Sequence, residues 1–466
     1  MLPLTLAEVA AVTGGRLHRA RGDERVTAVE FDTRAIAAGG LFLALPGGRA
    51  DGHDFAAAAL AAGAVGVLAG REVDAPSVIA SPVADRATDS YLSADDPDGH
   101  GAAVLAALAT LAGHAVRGLP GCTVVGVTGS SGKTSTKDLL AAVLAPLGPT
   151  VAPPGSFNNE LGLPWTALRA DAGTRHLVLE FSARGSGHIA ALAAAVPPRI
   201  GVVLNVGSAH LGEFGSTAAI AAAKGELVEA LDVDGVAVLN ADDPAVAAMG
   251  IRTAARIVLT GRHPNAHVRA ENVRLDAGRA RFTLVVPDGA AEVALRLIGG
   301  HHIGNALAAA AVAHELGGTP AGIATALSTA EPASRWRMEL TERPDGVTVV
   351  NDAYNANPES MRAALAALTS IGQGRRTWAV LGRIGELGDG SAAAHAAVAE
   401  NARAQGVDEI LAVGAPEYGA DRDVADVADA LELLRAELRP GDVVLVKASR
   451  AAGLERLATA LLEGAP

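Results

Sequence analysis

The stretch "VVGVTGSSGKTSTKDLLAAVL", Val124–Leu144, decides how the rest of the chain is read. Its apolar start predicts a buried strand, its Gly/Ser middle a turn, and its end a helix with apolar residues at helical spacing. Strand, glycine turn and helix in that order suit a phosphate cradle. The usual pattern, G-x-x-x-x-G-K-[ST], would place its first glycine where Val127 stands. Here the glycines are Gly129 and Gly132, so the strict pattern fails by one glycine. The physics survives that failure. Gly129 and Gly132 let the backbone approach an anion, the helix start at Lys133 offers unpaired N–H groups, and Lys133 adds a charge. Thr134 supplies the hydroxyl that such loops turn toward Mg²⁺. A Ser/Gly turn capping a helix would explain the serines, but not Gly-Lys-Thr directly after a strand.

Composition limits the classes available. A chain of 466 residues suits about three domains. Half of its residues are apolar and 19% are charged, which is globular. The net charge of −13 argues against a nucleic-acid partner or an anionic membrane surface, yet allows a small anionic ligand held by a few local cations. One cysteine, Cys122, cannot form an internal disulfide and fits a reducing compartment. "MLPLTLAEVAAVTGG" reads as a strand and a short helix, not as a signal peptide. No apolar run reaches the length of a membrane span. A cytoplasmic setting is expected.

Working outward from the loop, the first hundred residues predict a small mixed α/β domain, 1–100, that ends in the polar stretch 83–100. A central α/β domain, 101–328, follows. In it "HLVLEFSA", "RIGVVLNVGSAHL" and "GVAVLNADDP" read as strands of a parallel sheet, and residues 267–298 as hairpins with turns at 276–278 and 287–289. A helix is expected from about Asn305 to Leu316. The last part, 329–466, has four strand-like runs separated by helices, a Rossmann-like α/β domain.

Several residues invite chemistry. Glu180 ends an apolar strand, where a charge needs a partner: a backbone cap or Mg²⁺. His210 follows a strand in a glycine-containing loop and reads equally as structural. Lys224, among alanines on a helix, reads as a solvated lysine. The side chains of His301 and His302 diverge and have no cysteine or carboxylate cluster beside them, so no metal is expected there. "NDAYNANPESM" crowds Asp352, Asn355 and Asn357 at a strand end before Pro358, which suits either a capping turn or a ligand. Lys447 and Arg450 stand at another strand end; they suit a carboxylate or phosphate, or a solvated helix entry.

Together these strings resemble the Mur ligase family over nearly the whole chain, most closely the branch that adds D-Ala-D-Ala to UDP-N-acetylmuramoyl-tripeptide. "TGSSGKTSTKDL" is similar to that family's ATP loop, which lacks the early glycine. "GSFNNELGLPWTAL", "AHLGEFGS", "AKGEL" and "GNALAAAAVA" are similar to further family motifs, and "DAYNANPESMRAAL" is typical of this branch. "DTRAIAAGGLFLALPGGRADGHDF" resembles the N-terminal domain that holds the UDP end. The resemblance implies that Gly129, Ser130, Ser131, Gly132, Lys133, Thr134 and Ser135 hold the ATP phosphates. It implies that Asn305 meets adenine, and that Arg337 and Asp352 contact phosphate and ribose. Thr134, Glu180, His210 and Lys224 would serve two Mg²⁺ ions, Lys224 as a carbamylated lysine. Lys133, His210, Lys224 and Arg337 would be catalytic. Thr33, Arg34, Gly47, Asp51, Gly52, His53, Asn158, Asn159, Tyr354, Asn355, Asn357, Lys447 and Arg450 would face the two substrates. The family is expected to act as a monomer.

Phe181, Ser182, Ser186, His302, Arg383 and Ala448 depart from the branch's usual residues, none at a phosphate or metal position. Three rival readings remain at this point: the sister ligase that adds the third amino acid, a P-loop NTPase switch, and a binding protein that has lost catalysis.

Overall fold

The computed structural model describes residues 1–84, 90–92, 94–208 and 211–463. The chain packs into two compact units. One comprises Met1–Val127, Gly148–Gly201 and Glu226–Gly235; the other Thr128–Leu147, Val202–Gly225 and Val236–Pro466.

In the first unit a five-stranded sheet runs in the order Arg16–His18, Ser77–Ile79, Ala64–Ala69, Gly40–Leu43, Ala28–Glu30. The first pair is antiparallel and the others parallel. Phe42, Val67 and Ala69 pack with Ala56 and Ala59 of the Ala56–Ala61 helix. The same unit holds parallel strands Thr150–Val151, His176–Glu180 and Thr123–Thr128, with Glu180 opposite Val127. Trp165 is buried, donates from Nε1 to the Val29 carbonyl at 2.9 Å, and packs its ring against Phe31 and Phe157.

In the second unit Val236–Asn240, Arg256–Gly261 and Val268–Asp276 run parallel. The chain then turns back as antiparallel Arg279–Val286 and Gly289–Ile298. The predicted turn at 276–278 is present: Ala277 and Gly278 both have positive φ, 44° and 77°, the two-residue turn whose twist matches its strands. The helix expected near Asn305 is His302–Glu315.

The C-terminal sheet corrects the count of four strands. It has six, in the order Glu339–Glu342, Thr348–Asn351, Val443–Lys447, Thr377–Gly382, Glu409–Val413, Arg422–Val424. The two strands not foreseen lie at the edges, where "ELTE" and "RDV" need bury no face. Alternation in the inner strands builds two cores. Val350, Leu381 and Leu445 face Met361, Leu365 and Val398, while Val349, Val380 and Val446 face Leu434, Leu457 and Leu461. Trp378 is fully buried in the second core; its Nε1 donates to Asp442 Oδ2 at 3.3 Å, and the guanidinium groups of Arg376 and Arg422 flank its ring.

Candidate active site

The Thr123–Thr128 strand ends directly before the glycine loop, and the Lys133–Leu144 helix starts directly after it. Gly132, at φ 82°, opens the helix and, as a glycine, has no side chain with which to cap it. A twelve-residue helix that starts on glycine directly after a strand suits an anion site. Bulk is excluded at the turn: a Cβ on Gly132 would lie 2.6 Å from Asn305 Oδ1, and one on Gly129 would lie 2.9 Å from Leu204 Cβ. Lys133 Nζ donates to the Gly129 carbonyl at 2.7 Å, arching over the loop.

The loop is clamped by a residue that sequence reasoning passed over. Asn205 accepts from Ser131 N at 2.9 Å through Oδ1, donates from Nδ2 to the Ser131 carbonyl at 3.1 Å, and takes the Ser130 N–H on its own carbonyl at 3.1 Å. An asparagine closing the apolar run "GVVLN" was its only trace in the sequence.

The C-terminal sheet brings further predicted residues to this loop. Arg337 Nη2 lies 3.4 Å from Thr134 Oγ1, its guanidinium stacks 4.2 Å over the Tyr354 ring, and its buried Nε finds no hydrogen-bond partner among the described residues. An unsatisfied buried guanidinium N–H fits a ligand with acceptor oxygens. Asn357 caps the Pro358–Ile371 helix through Oδ1 and donates from Nδ2 to the Ser130 carbonyl at 3.3 Å. In the same first turn, Glu359 accepts from Ser208 N at 3.0 Å and Oγ at 2.9 Å, a second link that spacing alone could not show. Arg450 stacks 4.2 Å over Trp336 and pairs with Glu455.

Asp352 and Lys447 end adjacent strands and form a buried ion pair at 2.6 Å. Lys447 also donates to the Asn355 carbonyl at 2.9 Å, so its ammonium organises the "DAYN" turn. Burial pulls its pKa below the usual lysine range against the opposing pull of Asp352. Lys447→Met leaves the Asp352 carboxylate buried without its cation. A loss of ~3 kcal/mol is expected, measured by urea unfolding.

Glu180 is fully buried; its Oε2 accepts from Ser156 Oγ at 3.2 Å and Asn158 Nδ2 at 3.4 Å. Asn159 Oδ1 accepts from Gly162 N at 2.9 Å, opening the Gly162–Ala167 helix. His210 lies outside the described residues.

Lys224 corrects the solvated reading. It is 3% exposed, on the Thr217–Glu229 helix. Burial, and then the positive charge of Lys133, push its pKa down to about 7. Near neutral pH part of the population therefore carries a nucleophilic lone pair.

In the N-terminal sheet, Arg34 is exposed and grips Asp32 through Nε at 2.9 Å and Nη2 at 2.6 Å; Thr33 opens the same 3₁₀ turn. Gly47 is exposed, whereas Gly52 has no room for a Cβ, which would lie 2.6 Å from the backbone of Leu45. His53 is buried between Asp51 Oδ1, 2.6 Å from Nδ1, and the Gly70 N–H, 3.0 Å from Nε2. Its ring holds the 47–53 loop in shape. Burial keeps its pKa below the ordinary histidine value despite Asp51.

Comparison with known proteins bears on what this loop serves. Family models described as Mur ligase family catalytic domain, Mur ligase middle domain, and Mur ligase glutamate ligase domain match residues 25–115, 127–313 and 336–450. A Mycobacterium tuberculosis protein named UDP-N-acetylmuramoyl-tripeptide–D-alanyl-D-alanine ligase is 53% identical, over 99% of this chain and 98% of its own. A crystal structure of MurF from Acinetobacter baumannii superposes with a TM-score of 0.85 at 30% identity, over 99% of both chains. MurF from Thermotoga maritima in complex with ADP gives 0.79 at 29% identity, over 94% of this chain and 97% of that one. These matches together span nearly the whole chain, and the chain belongs to the Mur ligase family.

Proposed function

We propose that the chain is an ATP-dependent ligase that joins D-Ala-D-Ala to UDP-N-acetylmuramoyl-tripeptide, giving the pentapeptide precursor of peptidoglycan. The observation that carries this reading is the contact of the "DAYNANP" turn with the phosphate loop, through Asn357 and Ser130. An NTPase switch has no use for that turn. The proposed parts are a domain for the UDP end at 1–100, an ATP-binding domain at 101–328, and a domain at 329–466 that takes the dipeptide and completes the ATP site. Action as a cytoplasmic monomer is part of the proposal; among the described residues no helix is long and apolar enough to cross a membrane.

A carboxylate is a poor electrophile. ATP supplies the phosphoryl group that turns the tripeptide's terminal carboxylate into an acyl phosphate, and the dipeptide amine then displaces phosphate as the amide closes. Lys133, the first-turn amides and Arg337 stabilise charge on the transferring group. Asn305 is assigned to the adenine and Asp352 to the ribose. Thr134, Glu180 and carbamylated Lys224, whose oxygens suit Mg²⁺, are assigned together with His210, a nitrogen donor, to two Mg²⁺ ions. Carbamylation forms an N–C bond between the neutral Lys224 Nζ and CO₂ and releases one proton to solvent; counted from the ammonium, two protons leave and a cation is replaced by an anion. Arg34 and the 47–53 loop are assigned to the UDP end, and Asn158, Asn159, Asn355 and Arg450 to the peptides.

The test is phosphate release with Mg-ATP and UDP-N-acetylmuramoyl-tripeptide, with and without D-Ala-D-Ala, reading product mass in parallel. Release that requires the dipeptide, with a product heavier by the dipeptide less water, is the expected result. Release indifferent to both substrates would identify the NTPase instead.

A further inference from the structure

The segment that carries Arg337 is fixed at its start by two side chains to which the chemistry above gives no part, and at its other end by Asp352. At its start, buried Ser334 donates its N–H to Asp138 Oδ2 at 3.0 Å, and its Oγ accepts from Lys137 Nζ at 3.3 Å. Lys137 is 3% exposed and pairs with the Asp138 carboxylate. Both belong to the Lys133–Leu144 helix, one turn beyond Lys133 and Thr134. At the other end, Met338 N donates to Asp352 Oδ1 at 3.1 Å.

Between these anchors the backbone is strained. Trp336 and Met338, on either side of Arg337, have φ of 58° and 51°. Bulky residues hold the left-handed region only where their surroundings force them to. A buried lysine paired with a largely covered aspartate likewise costs free energy unless the geometry is used. Both costs fall on one short strap, whose result is the placement of Arg337 over Tyr354 and against Thr134.

We propose that Lys137 and Asp138 are positioning residues: they hold the 334–338 strap in register with the phosphate loop, so that Arg337 meets the nucleotide. The helix that starts at the phosphates would thus also set the cation that arrives from the other side. This proposal rests on the ATP site described under Proposed function.

A double-mutant cycle on Mg-ATP use tests it. Asp138→Ala, Arg337→Ala and the combined variant are compared with wild type for Mg-ATP affinity by calorimetry and for kcat/KM of phosphate release. Asp138→Ala is expected to lower kcat/KM for ATP about 10-fold alone and less than about 2-fold in the Arg337→Ala background, because residues that act through one another do not add. Asp138→Glu is expected to recover most of the loss. Should Asp138→Ala fail to fold, Lys137→Met with Asp138→Leu removes both charges and strands neither; it enters the same cycle with the same expectation. Equal losses in both backgrounds, or no loss in either, overturn the positioning role and leave the ATP site standing. Wild-type protein that binds no Mg-ATP overturns the site itself, and the proposal with it.

Discussion

Lys224→Arg is expected to lower ligation at least ~100-fold while Mg-ATP affinity stays within about 3-fold of wild type. Arginine keeps the length and the charge. It cannot lose a proton near neutral pH and so cannot capture CO₂. Lysine at this position can, because burial and Lys133 bring its pKa to about 7. With ¹³C-bicarbonate, wild type should show a carbamate resonance that Lys224→Arg lacks, and CO₂-depleted buffer should slow wild type alone. An equally active arginine variant would remove the carbamate from the mechanism. The same residue gives stability a pH dependence when CO₂ is absent. Its folded pKa of about 7 lies below the unfolded value of roughly 10.4. Between those values the unfolded chain binds a proton that the folded chain does not, so stability rises with pH. The cost of burying the ammonium is fully present below pH 7. Lys224→Met should therefore be more stable than wild type at pH 6, with the gap closing toward pH 10, as read by urea unfolding.

The second large effect is at the loop. Lys133→Ala is expected to lower kcat by ~10²–10³, with a smaller change in nucleotide affinity. The glycine turn and the first-turn amides remain to bind phosphate, whereas the charge that follows the transferring group is gone. Single-turnover phosphate release separates the two. Equal losses in affinity and kcat would mean that Lys133 only binds. A further consequence distinguishes this lysine from any other cation in the loop. Lys133 is part of the reason that the Lys224 pKa is low, so its removal should move carbamate formation to higher pH.

The legible parts of the chain were those where burial leaves a one-dimensional mark. Val124–Val127, Val349–Val350 and Val443–Val446 are mostly β-branched and buried, so their strands stood out, and the loops at their ends followed. Glu339–Glu342 and Arg422–Val424 pair at sheet edges with little apolar burial and left no mark. Lys224 was misjudged from its own neighbourhood because small side chains beside a lysine look the same whether solvent or protein covers them; only the family resemblance singled it out. Asn205, Glu359 and the Lys137–Asp138 pair act on backbone far away in sequence. Asp138 reaches Ser334, and Glu359 reaches Ser208, across separations that no local window spans.

The chain has three tryptophans, and each sits in a different environment. Trp165 is walled in by Phe31 and Phe157 beneath the N-terminal sheet, and Trp378 is fully buried among the guanidinium groups of the C-terminal sheet. Trp336 stacks under Arg450, next to Arg337. The molecule thus carries its own optical labels. Variants that retain a single indole would resolve the melting of the first unit, the melting of the C-terminal sheet and the arrival of nucleotide as three separate emission signals, with no dye attached.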